Sequence, residues 1–214
     1  MKPSLISIHI PKTAGQTFLQ LLKLAYGEEE ILQINQGWLQ RKGQQLKNLY
    51  PERYQVLHGH LPYREYLAPY HHPESLLITF MRDLLERVLS NFRYYRRKKE
   101  ERLNTGKTVR HYYDLSTFIE LEERRNVMVR FLNGLNLEDL FFLGLQEQFR
   151  QDVRLLSKKL SWNLPEGALE IKRNPTLPKG IVDEEIRQRI AALNQADMEL
   201  YNQAVALKSS GYWD

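Results

Sequence analysis

The sequence predicts an α/β domain with a mainly parallel central sheet. Near the amino terminus, the alternating apolar run "ISIHI" stops at "PKTAG" and gives way at once to the amphipathic segment "QTFLQLL". The apolar runs "SLLITFM" (75–81) and "DLFFLGL" (139–145) have strand length, and a helical pattern follows each of them. Continuous apolar runs are typical of buried parallel strands, and strands that alternate with helices favour a parallel sheet.

The composition is that of an ordinary globular protein, and we expect a single domain over residues 1–214. The chain is 42% hydrophobic and 27% charged, with a net charge of +5, which favours an acidic partner such as nucleic acid, an anionic glycan or an anionic cofactor. The absence of cysteine excludes disulfides, thiolate zinc sites and cysteine nucleophiles. No signal peptide or membrane-spanning run is evident, so we expect a cytoplasmic protein.

The first half of the chain contains two predicted strand–helix units. The first strand begins by about Leu5, and the segment 36–50 is predicted to be a second, partly exposed helix. "YQVLHGH" (54–60) is predicted to be a short strand with a polar end. After the run 75–81, Asp83 and Glu86 have the spacing of a capping box, which predicts that a helix starts there.

The second half is predicted to be mainly helical. The helix that starts at Asp83 should end near Lys99, and the polar segment 100–114 should form a loop. A second capping-box pattern begins at Thr117 and predicts a helix that ends near Gly134. One more helix should cover 147–160, and apolar residues at helical spacing after residue 183 predict one long C-terminal helix.

The turn "PKTAGQTF" (11–18) has the features of an anion site. A tight turn between a strand and a helix points backbone N–H groups at whatever lies above the helix N-terminus. Lys12 could neutralise a phosphate, Thr17 could donate its hydroxyl, and the amides of 14–17 could donate N–H groups. The segment is not the G-x-x-x-x-G-K-[ST] loop of nucleotide triphosphatases. The alternative is an ordinary turn with a solvated lysine.

A second anion site is predicted at the next buried strand. Arg82 stands at the carboxyl end of the run 75–81, and Ser90 follows two helical turns later. Ligands of open α/β sheets bind outside the carboxyl ends of the strands, so Arg82 and Lys12 should converge there. Two separate anion sites suit a nucleotide that is phosphorylated at both its 5′ and 3′ ends.

The segments "IPKTAGQTF" and "RDLLERVLSNFRYY" resemble the two nucleotide motifs of sulfotransferases that use 3′-phosphoadenosine 5′-phosphosulfate (PAPS). The resemblance is greatest to the carbohydrate branch that includes heparan sulfate 2-O-sulfotransferases. "LHGHLPY", "RRNVMVRFLNG" and "FFLGLQEQF" are similar to further segments of that branch, in the same order. The resemblance implies a P-loop-NTPase-like three-layer fold with PAPS as co-substrate. No metal is expected, because the transferred sulfuryl group carries only one negative charge.

The resemblance also implies roles for individual residues. Lys12 would contact the 5′-phosphosulfate and its bridging oxygen, and the residues around it would form the cradle. Arg82 and Ser90 would hold the 3′-phosphate, and a loop over 172–180 would close over the nucleotide. The predicted cofactor-binding residues are therefore Lys12, Thr13, Ala14, Gly15, Gln16, Thr17, Phe18, Arg82, Ser90, Arg173 and Lys179.

The pair His58 and His60 lies on one side of an extended segment, because strand side chains repeat every two residues. Histidine titrates near neutrality and can take a proton from a hydroxyl that attacks sulfur. By resemblance, His60 matches the catalytic base and His58 its neighbouring helper. A packed histidine and a metal ligand are the alternatives. His9, His71, His72 and His111 receive no role.

The acceptor is not predicted by the sequence: glycan, lipid, small alcohol and protein tyrosine all fit. "RYYRRKK" (93–99) is either a solvated helix face or a landing surface for an anionic glycan that contacts Arg93, Arg96 and Arg97. Two other functions compete with sulfuryl transfer. A small-metabolite kinase lacks its phosphate loop here, and a nucleic-acid-binding protein is supported by the basic pI alone.

Overall fold

The computed structural model describes residues 4–42, 49–170 and 182–214. In this part of the chain the strands are β1 (Leu5–Ile8), β2 (Ile31–Ile34), β3 (Val56–Gly59), β4 (Leu76–Met81) and β5 (Phe142–Leu145). They form one sheet in the order β2-β3-β1-β4-β5. Every neighbouring pair is parallel, with Ile8 opposite Gly59 on one side and Thr79 on the other. The predicted parallel α/β fold is confirmed.

Helices connect and flank these strands. In the described residues they are α1 (Gly15–Tyr26), α2 (Gln36–Lys42), α3 (Leu84–Asn104), α4 (Leu115–Glu120), α5 (Val127–Leu132), α6 (Phe149–Lys159), α7 (Glu184–Leu193) and α8 (Gln195–Ser209). None of the helices in the described ranges is long and apolar enough to cross a membrane. The predicted second helix is described only as far as Lys42, and its segment 43–48 lies outside the described residues.

The predicted cap of α3 is correct, but the predicted end of this helix is wrong. Asp83 accepts a hydrogen bond from the Glu86 N–H at 3.0 Å, which fixes the start of α3. The helix continues to Asn104 and not only to Lys99. Ion pairs one turn apart, such as the pair of Arg97 with Glu101, support this exposed extension.

Two other helix predictions are wrong, and one strand was not predicted. Asp114, not Thr117, caps α4, since its carboxylate accepts the Thr117 N–H at 2.8 Å. The helix predicted from there to Gly134 is divided into α4 and α5, and Asn194 divides the C-terminal helix into α7 and α8. Strand β2 was missed because its four residues form a short, mainly apolar stretch between two polar segments.

The core lies on both faces of the sheet. All four residues of β1 are buried, as are those of β3 and β5. The main cluster joins these strands to α1, α5 and α6, and a second cluster lies between α3, α4 and α7. The sheet therefore holds the ends of its strands rigidly, because parallel strands covered on both faces have little freedom to shift register.

A buried ion pair ties α3 to the C-terminal helices. Arg87 and Asp197 are both fully buried, with their side-chain nitrogen and oxygen 3.3 Å apart. Asp197 also accepts the N–H groups of Met128 and Val129 at the start of α5. One carboxylate thus links α3, α5 and α8, and its loss leaves a buried guanidinium without its counter-charge.

We predict that Asp197→Ala lowers the free energy of unfolding by about 3–5 kcal/mol, because breaking a buried pair leaves an uncompensated charge. Urea unfolding followed by circular dichroism measures the change. Glu101→Ala, which removes the exposed ion pairs with Arg97 and Lys98 on the same helix α3, is the matched control and should hardly move the midpoint. Equal midpoints for Asp197→Ala and the wild type would contradict the role assigned to this pair.

Candidate active site

Three strand ends bring the predicted site residues to one edge of the sheet. β1 lies between β3 and β4, so the residues that follow these strands meet at their carboxyl ends. His60 follows β3, Lys12 follows β1, and Arg82 follows β4. The Nη1 of Arg82 donates a hydrogen bond to the Lys12 carbonyl oxygen at 3.3 Å. The predicted convergence of Lys12 and Arg82 is therefore observed.

The turn after β1 has a left-handed backbone at two positions, Lys12 (φ 75°) and Ala14 (φ 65°). The buried Thr13 hydroxyl donates to the Ile10 carbonyl oxygen at 2.8 Å, which closes the turn. Thr13 can therefore approach a ligand only through its main chain. This backbone directs the turn into α1, and no side chain among the described residues caps that helix.

The first turn of α1 leaves backbone donors for an anion. Helix geometry provides no acceptor for the N–H groups of Gly15 and Gln16, whereas the Thr17 N–H already donates to the Ala14 carbonyl at 3.0 Å. Gln16 is exposed, and the Thr17 side chain is half-buried. The Phe18 ring is buried against Phe80, 4.8 Å between centroids, so this residue supports the cradle from the core.

Lys12 lies among several positive charges. Its Nζ is 4.4 Å from the centroid of the exposed Tyr94 ring. Burial, followed in order by the guanidinium groups of Arg97, Arg82 and Arg93, lowers the pKa of Lys12 to about 8. Such crowding of like charges is unfavourable without an anion between them, so the arrangement fits a phosphate or sulfate group.

Arg82 keeps at least one buried side-chain donor without a partner among the described residues. Its Nη2 binds Glu86 at 3.2 Å, and its Nη1 binds the Lys12 carbonyl. The Nε–H is buried and has no hydrogen-bond partner within 4–42, 49–170 and 182–214. Burial lowers the pKa of Arg82, although Glu86 and Glu147 oppose this. A buried charged donor without a partner fits a site that an anionic ligand completes.

Helix α3 places three further predicted residues on the side of Lys12. Ser90, Arg93 and Arg97 follow Glu86 at intervals of four, three and four residues, which is one face of a helix. Arg96 belongs to another face: it stacks on Tyr112 at 4.3 Å and pairs with Glu100 at 3.7 Å. The structure therefore separates Arg96 from the other two arginines that we assigned to a glycan.

Glu147 and Tyr201 hold the turn that carries Arg82, and the sequence analysis missed both. Glu147 accepts the Asp83 N–H with one carboxylate oxygen at 3.0 Å and the Tyr201 hydroxyl with the other at 3.2 Å. This bridge joins the end of β4 to the end of β5 and to α8. Glu147 lies two residues beyond β5, and its partners Asp83 and Tyr201 are distant in sequence, so no local pattern identified it.

The two predicted histidines are placed differently. His58 is buried in β3, where its Nδ1 is 2.9 Å from the Ser7 hydroxyl and burial lowers its pKa to about 3. His60 is exposed, and its Nδ1 is 2.9 Å from the His9 carbonyl oxygen. The residue between them must be a glycine, because a Cβ on Gly59 would lie 2.0 Å from the Ile34 carbonyl oxygen. Of the two, only His60 is accessible to a substrate.

The protonation state of His60 suits a base. Its Nδ1 must carry the hydrogen, because a carbonyl oxygen can only accept, and Nε2 keeps a lone pair. Burial of part of the ring lowers the pKa of His60 below 6.5, and the nearby Lys12 lowers it too, whereas the bond to His9 opposes this. His60 is therefore neutral at pH 7.

His9 occupies the centre of this cluster, although we assigned it no role. It follows the last residue of β1, and its buried ring stacks on His60 with 3.7 Å between centroids and on His58 with 4.9 Å. No local pattern identifies it, because the contact depends on the register between β1 and β3. Among the described residues, no group of three or more histidine, aspartate or glutamate side chains could hold a metal ion. Arg173 and Lys179 lie outside the described residues.

Comparisons with known proteins define the class. Over residues 1–203 the sequence matches the sulfotransferase family, so the chain belongs to that family. The fold is similar to that of mouse sulfotransferase SULT7A1, solved in complex with PAP, with a TM-score of 0.51 and 14% identity. The match covers 90% of this chain but only 64% of the mouse chain. A comparison with curated proteins gives no significant match.

We predict that the Lys12 ammonium titrates near pH 8 and that Arg97→Gln raises its pKa, since Arg97 is the strongest of the neighbouring charges. A ¹³C NMR titration of the lysine Cε resonances measures this value. Arg96→Gln removes a positive charge from the other face of α3 and is the matched control. An equal shift in both variants would show that the effect is one of net charge and not of this cluster.

Proposed function

We propose that this protein is a PAPS-dependent sulfotransferase that transfers the sulfuryl group to a hydroxyl of an acceptor, with a carbohydrate as the acceptor class. The observation that carries the proposal is the meeting of Lys12, Arg82 and His60 at one edge of the sheet. Membership of the sulfotransferase family and the similar fold of a PAP complex support it.

The donor side is built from two anion sites. Lys12 and the free N–H groups of Gly15 and Gln16 would hold the 5′-phosphosulfate at the N-terminus of α1. Arg82, through its spare Nε–H, and Ser90 would hold the 3′-phosphate. Bound PAPS would supply the sulfuryl group, and its 5′-phosphate would be the leaving group.

The residues of this chain would then move one proton and stabilise one charge. His60 Nε2 takes the proton of the acceptor hydroxyl, whose oxygen forms a bond to sulfur as the bond from sulfur to the 5′-phosphate oxygen breaks. Lys12 stabilises the negative charge that develops on this leaving oxygen. His58 is buried and takes no proton; it supports the cluster from within β3.

The acceptor would approach beside α3. Tyr94 is exposed next to Lys12 and offers an aromatic face to a sugar ring. Arg93 and Arg97 add positive charge on the same face, which favours an anionic glycan. Arg96, engaged by Tyr112 and Glu100, is not part of this surface. The heparan sulfate branch remains a proposal that rests on the resemblance of the motifs.

We predict that PAP raises the melting temperature far more than 5′-AMP does, since only PAP fills the second anion site. A contact with a charged donor contributes about 1.5–3 kcal/mol, so Arg82→Ala should remove most of the difference in affinity. Calorimetric titration measures both affinities, with Arg96→Ala as the control and with ATP plus magnesium and an oligonucleotide as competing ligands. Equal binding of PAP and AMP by the wild type would defeat the two-site assignment.

We predict that His60→Ala lowers kcat by about 10²–10⁴-fold while PAP still binds with wild-type affinity, because His60 faces the acceptor. A screen with radiolabelled PAPS against desulfated glycans, alcohols and phenols provides the assay. His72→Ala, which removes another exposed histidine, is the control.

The pH dependence gives a second test of the same base. Only neutral His60 can take the proton, so the wild-type rate should fall as the pH drops through its lowered pKa, below 6.5. A His60→Ala enzyme with normal turnover, or a rate that does not fall in acid, would exclude His60 as the base.

A further inference from the structure

His9 contacts both halves of the candidate active site. Its ring lies nearly parallel to that of His60, with 3.7 Å between centroids and 28° between planes. The His9 main chain belongs to the edge of the sheet, since its N–H donates to the Gly59 carbonyl at 2.9 Å. This ring is therefore fixed to the sheet and can serve as a support for a neighbouring side chain.

His60 needs such a support. It lies beyond the end of β3 and is exposed, and the bond from its Nδ1 to the His9 carbonyl fixes only one edge of the ring. One hydrogen bond leaves an imidazole free to tilt out of the plane and to rotate about its Cβ–Cγ bond. A ring 28° from parallel, with 3.7 Å between centroids, limits the tilt, so that Nδ1 stays within reach of the carbonyl and Nε2 stays directed away from it.

The other edge of the His9 ring rests on the donor turn. A Cβ built on Gly15 would lie 1.8 Å from the His9 Nε2, so the ring occupies the space that a side chain at position 15 would need. Gly15 is the first residue of α1, three residues after Lys12. The ring thus fills the gap between the turn that carries Lys12 and the ring of His60.

The charge state of His9 is compatible with this position. Burial strongly lowers the pKa of His9, and His60, His58 and Lys12 lower it further, in that order. The titratable groups that face His60 are His9 at the end of β1, His58 in β3 and Lys12 in the turn. A neutral ring can stack on neutral His60 beside the Lys12 ammonium without adding a positive charge.

We infer that His9 is a positioning residue: its ring, packed between Gly15 and His60, fixes the orientation and tautomer of the proposed base relative to Lys12. The catalytic meaning of this inference rests on the proposed function, whereas the geometry does not. Planarity is the property that matters, because a flat group can support the His60 ring and a branched aliphatic group of similar size cannot.

Three variants test the role of the ring. His9→Leu fills the space without a flat face, whereas His9→Phe and His9→Gln each keep a planar group of a different size. His72→Leu is the matched control, and circular dichroism identifies the variants that fold. Ring ¹⁵N chemical shifts of histidine-labelled protein report the tautomer of His60 and require no nucleotide or acceptor.

The wild type, His72→Leu and at least one planar variant should show His60 with hydrogen on Nδ1 only. His9→Leu should show a mixture of tautomers. With an acceptor from the radiolabel screen, His9→Leu should lose about ten- to a hundredfold in kcat with an unchanged Kd for PAP, as expected when a reacting group is misplaced. A planar variant should recover most of this loss.

Two results would overturn the inference: a single Nδ1–H tautomer in folded His9→Leu, or planar variants that behave like His9→Leu. Loss of PAP affinity together with kcat in His9→Leu would also overturn it, because the residue would then belong to the nucleotide site. Failure of the wild type to bind PAP would instead contradict the proposed function, and the tautomer measurement would still stand.

Discussion

The parallel register of β1 between β3 and β4 is the constraint on which the site depends. Ile8 lies opposite Gly59 and Thr79, so β1 and β3 end at the same level and β4 continues two residues further. His60, Lys12 and Arg82 come from segments that are far apart in sequence, and no local interaction would bring them together. A shift of one residue in β1 would reverse its side chains and move His9 away from both neighbouring histidines.

The charge distribution follows from this register. The strand ends and α3 bring Lys12, Arg82, Arg93 and Arg97 together, while Glu86 is the acidic side chain paired with Arg82. Burial and mutual repulsion lower the pKa of Lys12, which means that the folded protein pays an electrostatic penalty at this edge. Arg87, in the first turn of α3, forms a buried ion pair with Asp197 of α8. This pair anchors α3 against that repulsion.

The sequence could predict what local patterns determine. The strand–turn–helix at the amino terminus, the cap at Asp83 and the positions of Lys12 and Arg82 all follow from spacing and apolar runs. The break at Asn194 could not be predicted, because this residue is held by tertiary contacts, including a bond from the Asn126 N–H at 2.9 Å. His9 and Glu147 were missed for the same reason: their partners are distant in sequence.

The lowered pKa values of Lys12 and His60 form one arrangement. Burial, and with it the charge of Lys12, disfavours protonation of His60, so the proposed base would already be neutral before a nucleotide binds. Beside the negative phosphates of a nucleotide, Lys12 would regain its full charge, and the pKa of His60 would rise toward neutrality, where a general base is most efficient. The same anion would thus complete the electrostatic site and adjust the base, and the stacked ring of His9 would keep that base in one orientation while its proton affinity changes.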